Sequence, residues 1–566
     1  MKSNSALLAS LAVSALLSGL WPTPAPARLP ASPQPVRRVA TRPAAAPAPR
    51  VRARNIILMI SDGAGFNAFK CASYFEHGRL GRQPYDAFDV KLACSTFMLN
   101  YVDRQGRELL APDDGSVPEV AEGLAGQQYV PSRVWNAFHA TRGQSNYLRY
   151  TGSAAAATAI YTGQKTTKLR ISTDGWGRKP LGTIGQQAKD RGLSVGVVTS
   201  VQFAHATPAA LFAHNPLRNN YAHIAREMIT RSGLDVILGC GNPDYDHDGR
   251  PVADPPAERY KYVGGRELWE QLKAGKSPAG WKLIESRLEF EALAMRPDLA
   301  PRKLIGVPRV HKTLQFERSP MQDWNADGRV HTDGGSPRWD GRFAEVNTGK
   351  PGRGDPFVAD VPSLSVMTLA ALNTLARNDQ GLLLVVEGGA VDWANHANAL
   401  GRMIEEQMDF NAAVAAVVRW VDDPATEADW SDTLLIVTSD HECGQLWHPS
   451  AGPPRRPADP PSFAEPVNRG RGRMPQAKYF SGGHTNALVP LYAHGAGAEV
   501  FQQITREHAT RKDPVYGPYV DNTDIYRVMH QALTGRRENA EADATADRAA
   551  GDERTARRAH AAGIGE

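Results

Sequence analysis

The stretch Asn55–Ser61, NIILMIS, followed at once by Asp62 and Gly63, decides the fold class. Its unbroken core of Ile, Leu and Met shows no alternation with polar residues. That pattern suits a strand covered on both faces, as in a parallel sheet, rather than one with a wet face. Three further runs share the character: Leu193–Thr199 (LSVGVVT), Leu382–Val386 (LLLVV) and Leu434–Thr438 (LLIVT). Helical stretches at Thr183–Arg191, Leu364–Arg377 and Met403–Val421 separate some of them. The interleaving predicts an α/β fold with a mostly parallel central sheet flanked by helices on both faces.

Outward from these runs, the chain of 566 residues is 42% apolar and 22% charged, ordinary values for a folded interior. At about 150 residues per domain the length allows several domains or one enlarged α/β unit. Lys2, the apolar run Ala6–Leu20 and Ala25-Pro26-Ala27 form the charged, apolar and small-residue parts of a secretory signal over residues 1–27. Residues 28–54, rich in Pro, Ala and Arg, read as a linker, and 536–566 as a disordered tail. The catalytic domain is placed at 55–535, with a long irregular insertion at about 240–350. No later run is apolar enough to span a bilayer, so a soluble periplasmic or secreted protein is expected. Residues 1–54 hold eight basic residues and no acid, so of the formal net charge of +5 the remainder carries −3. Nucleic-acid binding by the folded part is not expected. Cys71, Cys94, Cys240 and Cys443 form no CxxC pair and read as buried thiols or one or two structural bridges, ahead of metal ligands.

Three of the four apolar runs end in an acid: Asp62, Glu387 and, after Ser439, Asp440-His441. Carboxyl ends of parallel strands face the ligand crevice, so these acids are expected to converge. One Asp-Gly after a strand is ordinarily a turn; three acids at equivalent ends point to a shared role. Asp392 and His396, four apart, fall on one helix face, a spacing for two ligands of one metal as well as for a solvated pair. His484 in SGGHT adds an imidazole. Oxygen and imidazole donors suit catalytic zinc, and oxygens alone suit magnesium. Ser153 opens the alanine-rich run AAAATAI, where a helix N-terminus favours an alkoxide and an incoming phosphate, although Ser there is also a common N-cap. His205-Ala-Thr207-Pro follows another strand, and Arg218 offers a planar fork for two phosphate oxygens.

Together these segments resemble the alkaline phosphatase family. The resemblance rests on NIILMISDGAG (55–65), TGSAAAATAIYTGQKT (151–166), HATPAALFAHNPLR (205–218), VEGGAVDWANHAN (386–398), VTSDHECG (437–444) and GGHT (482–485), in that order. It implies two zinc ions and one magnesium. Asp392, His396 and His484 would hold one zinc, Asp62, Asp440 and His441 the other, and Asp62, Thr207 and Glu387 the magnesium. It also implies Ser153 as a nucleophile forming a phosphoserine, Arg218 as the phosphoryl clamp, and small phosphate monoesters as substrates. A homodimer is an assembly to test for.

Three positions depart from the best-known bacterial pattern. Gly152 stands where an Asp usually precedes the nucleophile, which removes a partner for Arg218 and predicts weaker phosphate binding. His205 and Trp393 replace an Asp and a Lys, which puts the third metal's identity in question. Asp244-x-Asp246-x-Asp248-Gly249 and Asp323-x-Asn325-x-Asp327-Gly328 match the first half of a calcium loop but lack its closing Glu. They read as structural calcium sites or as solvated turns. The rival functions are a phosphodiesterase or sulfatase of the same superfamily, disfavoured by the Ser nucleophile and the third ligand set, and an inactive phosphate-binding protein.

Overall fold

A computed structural model describes residues 52–126, 129–130, 150–277, 279–318, 357–452 and 462–535. The chain divides into Met1–Pro49 and Arg50–Glu566, and every described residue lies in the second unit. The signal segment, nearly all of the linker, the tail and the Asp323 motif lie outside the described residues.

The strands that build and flank the site are, in chain order, β1 (Asn55–Ser61), β2 (Val90–Ser95), β3 (Ser194–Gln202), β4 (Val236–Cys240), β5 (Lys282–Ile284), β6 (Leu304–Gly306), β7 (Leu382–Gly388), β8 (Thr433–Thr438), β9 (Glu442–Cys443), β10 (His484–Thr485), β11 (Val489–Gly495), β12 (Lys512–Asp513) and β13 (Gly517–Asp521). Eleven form one sheet, in the order β12-β13-β2-β11-β8-β1-β7-β3-β4-β6-β5. From β8 through β5 all neighbours are parallel; β11 pairs antiparallel with β8 and β2, and β12 antiparallel with β13.

Each of the four apolar runs is a strand of this sheet, and β1 shows why they lack alternation. Ile56, Leu58 and Ile60 join one buried cluster, while Ile57 and Met59 join the other. Both faces are covered, so every position is apolar; each such side chain contributes about 1.5–3 kcal/mol of burial. The first cluster takes in α1 (Ser153–Thr162) and α2 (Ile184–Asp190); the second takes in α6 (Leu364–Leu375) and α8 (Leu400–Asp422), named in the chain order α3 (Ala206–Ala209), α4 (Arg266–Lys273), α5 (Arg287–Met295), α6, α7 (Ala390–His396), α8. The Ser363 hydroxyl caps α6 by accepting from Val366 N, and Thr183 caps α2 through Gln186 N.

The register levels the strand ends. Ile60 lies opposite Glu387 on β7 and opposite Thr438 on β8. Asp62, Glu387 and Asp440 therefore gather at the carboxyl ends of three adjacent strands.

The region expected to be a long irregular insertion, about 240–350, is described only in part, at 240–277 and 279–318. Its described part carries α4, α5 and the short strands β5 and β6, which extend the central sheet in parallel beyond β4. Strands of three residues among Gly, Pro and charged residues carry too little pattern to be read. No described helix is long and apolar enough to cross a membrane.

Candidate metal centre and nucleophile

The turn after β1 builds the first group. Gly63 has φ +69, and a Cβ there would stand 2.5 Å from Asp392 Oδ1, so glycine is required twice over. Its backbone ties the neighbourhood together: Gly63 N donates to Asp440 Oδ1 (3.1 Å), and Gly63 O accepts from Cys443 N (3.0 Å) and Asn395 Nδ2 (2.9 Å). Asp62, Asp440 and His441 present ligand atoms within 4.8 Å of one another, and all three are buried. His441 Nε2 lies 3.2 Å from Asp440 Oδ2 and 3.5 Å from Asp62 Oδ1.

Ser153 meets this group from α1. The N-cap is Gly152, in extended conformation, so Ser153 is the first helical residue and its hydroxyl is not spent on capping. Its Oγ donates to Asp62 Oδ2 at 3.4 Å and stands 3.3 Å from His441 Nε2. The positive end of α1 therefore faces the same point as the carboxylates.

The second group comes from α7 and from the small sheet of β9 and β10. Asp392 and His396 share a face of α7 with Oδ2 and Nε2 3.4 Å apart, and His484 Nε2 is 3.4 Å from Asp392 Oδ1. His396 Nδ1 lies 2.8 Å from Gly482 O and His484 Nδ1 2.8 Å from Thr151 O. A carbonyl only accepts, so each Nδ1 carries a proton and each Nε2 is turned inward. The two Nε2 atoms are 3.0 Å apart, and the His441 and His484 rings stack at 3.7 Å, so the two groups adjoin.

Charge separates the groups. Burial and then the neighbouring Asp440, Asp392 and Glu387 charges push Asp62 well above the usual carboxylate range. Burial and then Asp392 push Asp440 up to about 7. Burial raises Glu387 despite a hydrogen bond from the Thr199 hydroxyl. For Asp392 burial also opposes ionisation, but the His396 and His484 imidazoles overcome it and hold the carboxyl well below its ordinary value. Burial and then the His484 charge push His441 well down.

These donors fit divalent cations. Asp62 Oδ1, Asp392 Oδ1, Asp440 Oδ2 and the Thr207 hydroxyl on α3 are buried with no hydrogen-bond partner. Buried carboxylate oxygens left so are costly unless a cation compensates them. The two inward Nε2 atoms, 3.0 Å apart and each 3.4 Å from an Asp392 oxygen, can turn their lone pairs on one ion.

A cleft of about 650 Å³ opens onto both groups, lined by Asp62, Ser153, Thr207, Arg218, Glu387 and His484 among others. The Arg218 charge acts on Glu387, His396 and His441, so it reaches both groups. His205 is pushed down to about 3 by burial and then by Arg218, and its ring stacks on Tyr221 at 5.0 Å and lies 5.5 Å from Trp393. It is a neutral imidazole in an aromatic wall.

A family model described as alkaline phosphatase matches residues 135–514. The chain belongs to the alkaline phosphatase family. Alkaline phosphatase 4 of Bacillus subtilis is 28% identical over 299 residues, 52% of this chain and 50% of that protein, so the chain spans about half the length of this relative. Streptomycin-6-phosphate phosphatase of Streptomyces griseus is 28% identical over 420 residues, 70% of this chain and 74% of its own. The solved alkaline phosphatase of the Antarctic bacterium TAB5 superposes with a TM-score of 0.51 at 19% identity, over 86% of this chain and 100% of that one, which shows a shared fold.

All ten residues singled out in the sequence thus lie in the two groups or along the cleft. Sequence reasoning passed over Cys443, whose thiol belongs to the Asp392 group within the same 4.8 Å. Its signal was adjacency: it stands two residues after His441. The four cysteines are buried and unpaired, the first of the two readings given to them. The Asp244 loop is spoken for by protein donors. Trp269 Nε1 and Lys273 Nζ bind Asp244, Asp246 caps the backbone N–H groups of Asp248 and Arg250, and Arg250 binds Asp248. These contacts are those of the turn reading.

Proposed function

We propose that this chain is an exported phosphomonoesterase that cleaves small phosphate monoesters through a covalent phosphoserine on Ser153. The reading is carried by one observation: the Asp62/Asp440/His441 group meets a single serine hydroxyl at a helix N-terminus, with Asp62 and His441 3.4 and 3.3 Å from it, and the Asp392/His396/His484 group adjoins. Asp392, His396 and His484 would hold one zinc, Asp62, Asp440 and His441 a second, and Asp62, Thr207 and Glu387 a magnesium. Bound ions would supply Lewis-acid stabilisation of the attacking and leaving oxygens.

The chain's own residues do the rest. Ser153 Oγ forms a bond to phosphorus as the ester P–O bond breaks, and the alcohol leaves with a proton. Water then attacks the phosphoserine, releasing phosphate and restoring the hydroxyl. Arg218 holds two phosphoryl oxygens through both steps, and the positive end of α1 stabilises the serine oxygen as it loses its proton. Gly152 leaves Arg218 without the acid expected next to the nucleophile, and a side chain has room there, since a Cβ would meet only His484 at 3.8 Å.

The test is hydrolysis of aryl monoester and diester substrates by the wild type and Ser153→Ala, with metal content measured before and after chelation. Monoester turnover that falls at least about a thousandfold in Ser153→Ala supports the reading. Full-rate turnover without the serine, or a preference for the diester, overturns it. Export rests on residues 1–27, and a mature N-terminus beyond Ala27 in the secreted protein is the expected result.

A further inference from the structure

The Asp392 group contains a donor that the family resemblance does not assign. Cys443 lies on β9 directly opposite His484 on β10 in antiparallel register. Residues so paired project to the same face of the ribbon. His484 uses that face to reach Asp392 Oδ1, and the Cys443 sulfur lies within 4.8 Å of the ligand atoms of Asp392, His396 and His484. The strand is held in place from below, where Cys443 N donates to Gly63 O at 3.0 Å. The thiol is buried and in no disulfide. Asp392, only 6% exposed, keeps Oδ1 without a hydrogen-bond partner in the middle of this set.

We infer that Cys443 is a fourth protein ligand of the Asp392/His396/His484 centre, binding a soft divalent cation such as zinc as a thiolate. The inference rests on the metal-centre reading above and narrows it. Two imidazoles, one carboxylate and one thiolate make up a tetrahedral zinc set, and the sulfur selects zinc, cobalt or cadmium over magnesium. Binding replaces the S–H bond by a sulfur–metal bond and releases the proton to solvent. Four donors from the chain are one more than a catalytic zinc usually has.

The test uses the full chain, stripped of metal, reloaded with Co²⁺ and assayed for bound metal. The expected spectrum has a sulfur-to-cobalt charge-transfer band in the near ultraviolet beside the visible d–d bands. The band disappears in Cys443→Ser and persists in Cys240→Ser, whose thiol lies away from both groups. Zinc release to a chelator should be at least tenfold faster in Cys443→Ser, since even outer-shell changes cost about 10–100-fold in affinity. Zinc-edge X-ray absorption of the wild type, which needs no variant to fold, should show a sulfur shell at about 2.3 Å. Cobalt bound with d–d bands but no charge-transfer band and no sulfur shell overturns this inference and leaves the metal centre standing. A chain that takes up no cobalt overturns both.

Discussion

The two donor groups adjoin, yet they are built on opposite principles. Asp62, Asp440 and His441 hang from the ends of β1 and β8, neighbours in the core of the parallel sheet, where burial and then nearby carboxylates, Asp392 among them, raise the carboxyls. Asp392, His396 and His484 come from a helix and a two-stranded ribbon. There the carboxylate is compensated by imidazoles, and each ring is fixed by a backbone carbonyl. Carboxyls are raised in the first group and the carboxyl is lowered in the second, although Asp392 Oδ1 is still left without a hydrogen-bond partner. The sheet supplies the place and the cations supply the compensation, so both groups should depend on metal, the first the more.

The largest expected effect follows from removing the carboxylate that meets both Ser153 and His441. Asp62→Asn keeps the side-chain shape but takes away a ligand and a repelling carboxylate. Phosphatase turnover should fall at least about a thousandfold while the metal-free protein melts at the same or a higher temperature, read by calorimetry. A metal-free protein markedly destabilised by Asp62→Asn would break the contrast. Next comes Gly63→Ala, which drives a methyl into Asp392 at a position with φ +69. It should cost at least about 2 kcal/mol of stability in denaturant titrations and release metal from both groups together.

A smaller effect is the pH dependence of metal binding at the Asp62 group. Asp440 titrates near 7, above its ordinary 3.8, because burial disfavours the charge. A raised value means that its contribution to metal-free stability is full below 3.8 and lost as pH rises through 7. Zinc must displace that proton, so affinity at the Asp62 group should rise by about tenfold per pH unit below 7. Calorimetric titration in buffers of different ionisation heats measures the protons released, and an affinity at the Asp62 group that does not change with pH below 7 would contradict the raised value. The smallest effect is at Gly152. Its φ of −109 suits any residue, and Gly152→Asp should give Arg218 a carboxylate partner and tighten inhibition by inorganic phosphate about three- to tenfold.

The central strands were legible because burial on both faces leaves only apolar residues, as in Leu382–Val386 and Leu434–Thr438, and the acids were legible because they end those runs. β7 continues two residues beyond its apolar run, through Glu387 to Gly388 opposite Ser61, so the magnesium candidate lies within the ladder rather than after it. β5 and β6 were hidden by their length. The Asp392–His396 pair was visible as helix spacing, but its partnership with His484, 88 residues on, needed the ribbon of β9 and β10. Cys443 was missed because a single thiol without CxxC spacing reads as a core residue, and only cross-strand register turns it toward Asp392. Ser153 was placed at the helix start correctly; that Gly152 takes the cap, and so frees the hydroxyl, depended on backbone conformation.

The most direct test of the account is anomalous diffraction at the zinc edge from crystals of the zinc-loaded protein. Two peaks are expected, one among Asp62, Asp440 and His441 and one among Asp392, His396 and His484, with Ser153 Oγ facing the first. Peaks confined to other sites, with both groups bare at full zinc loading, would contradict it.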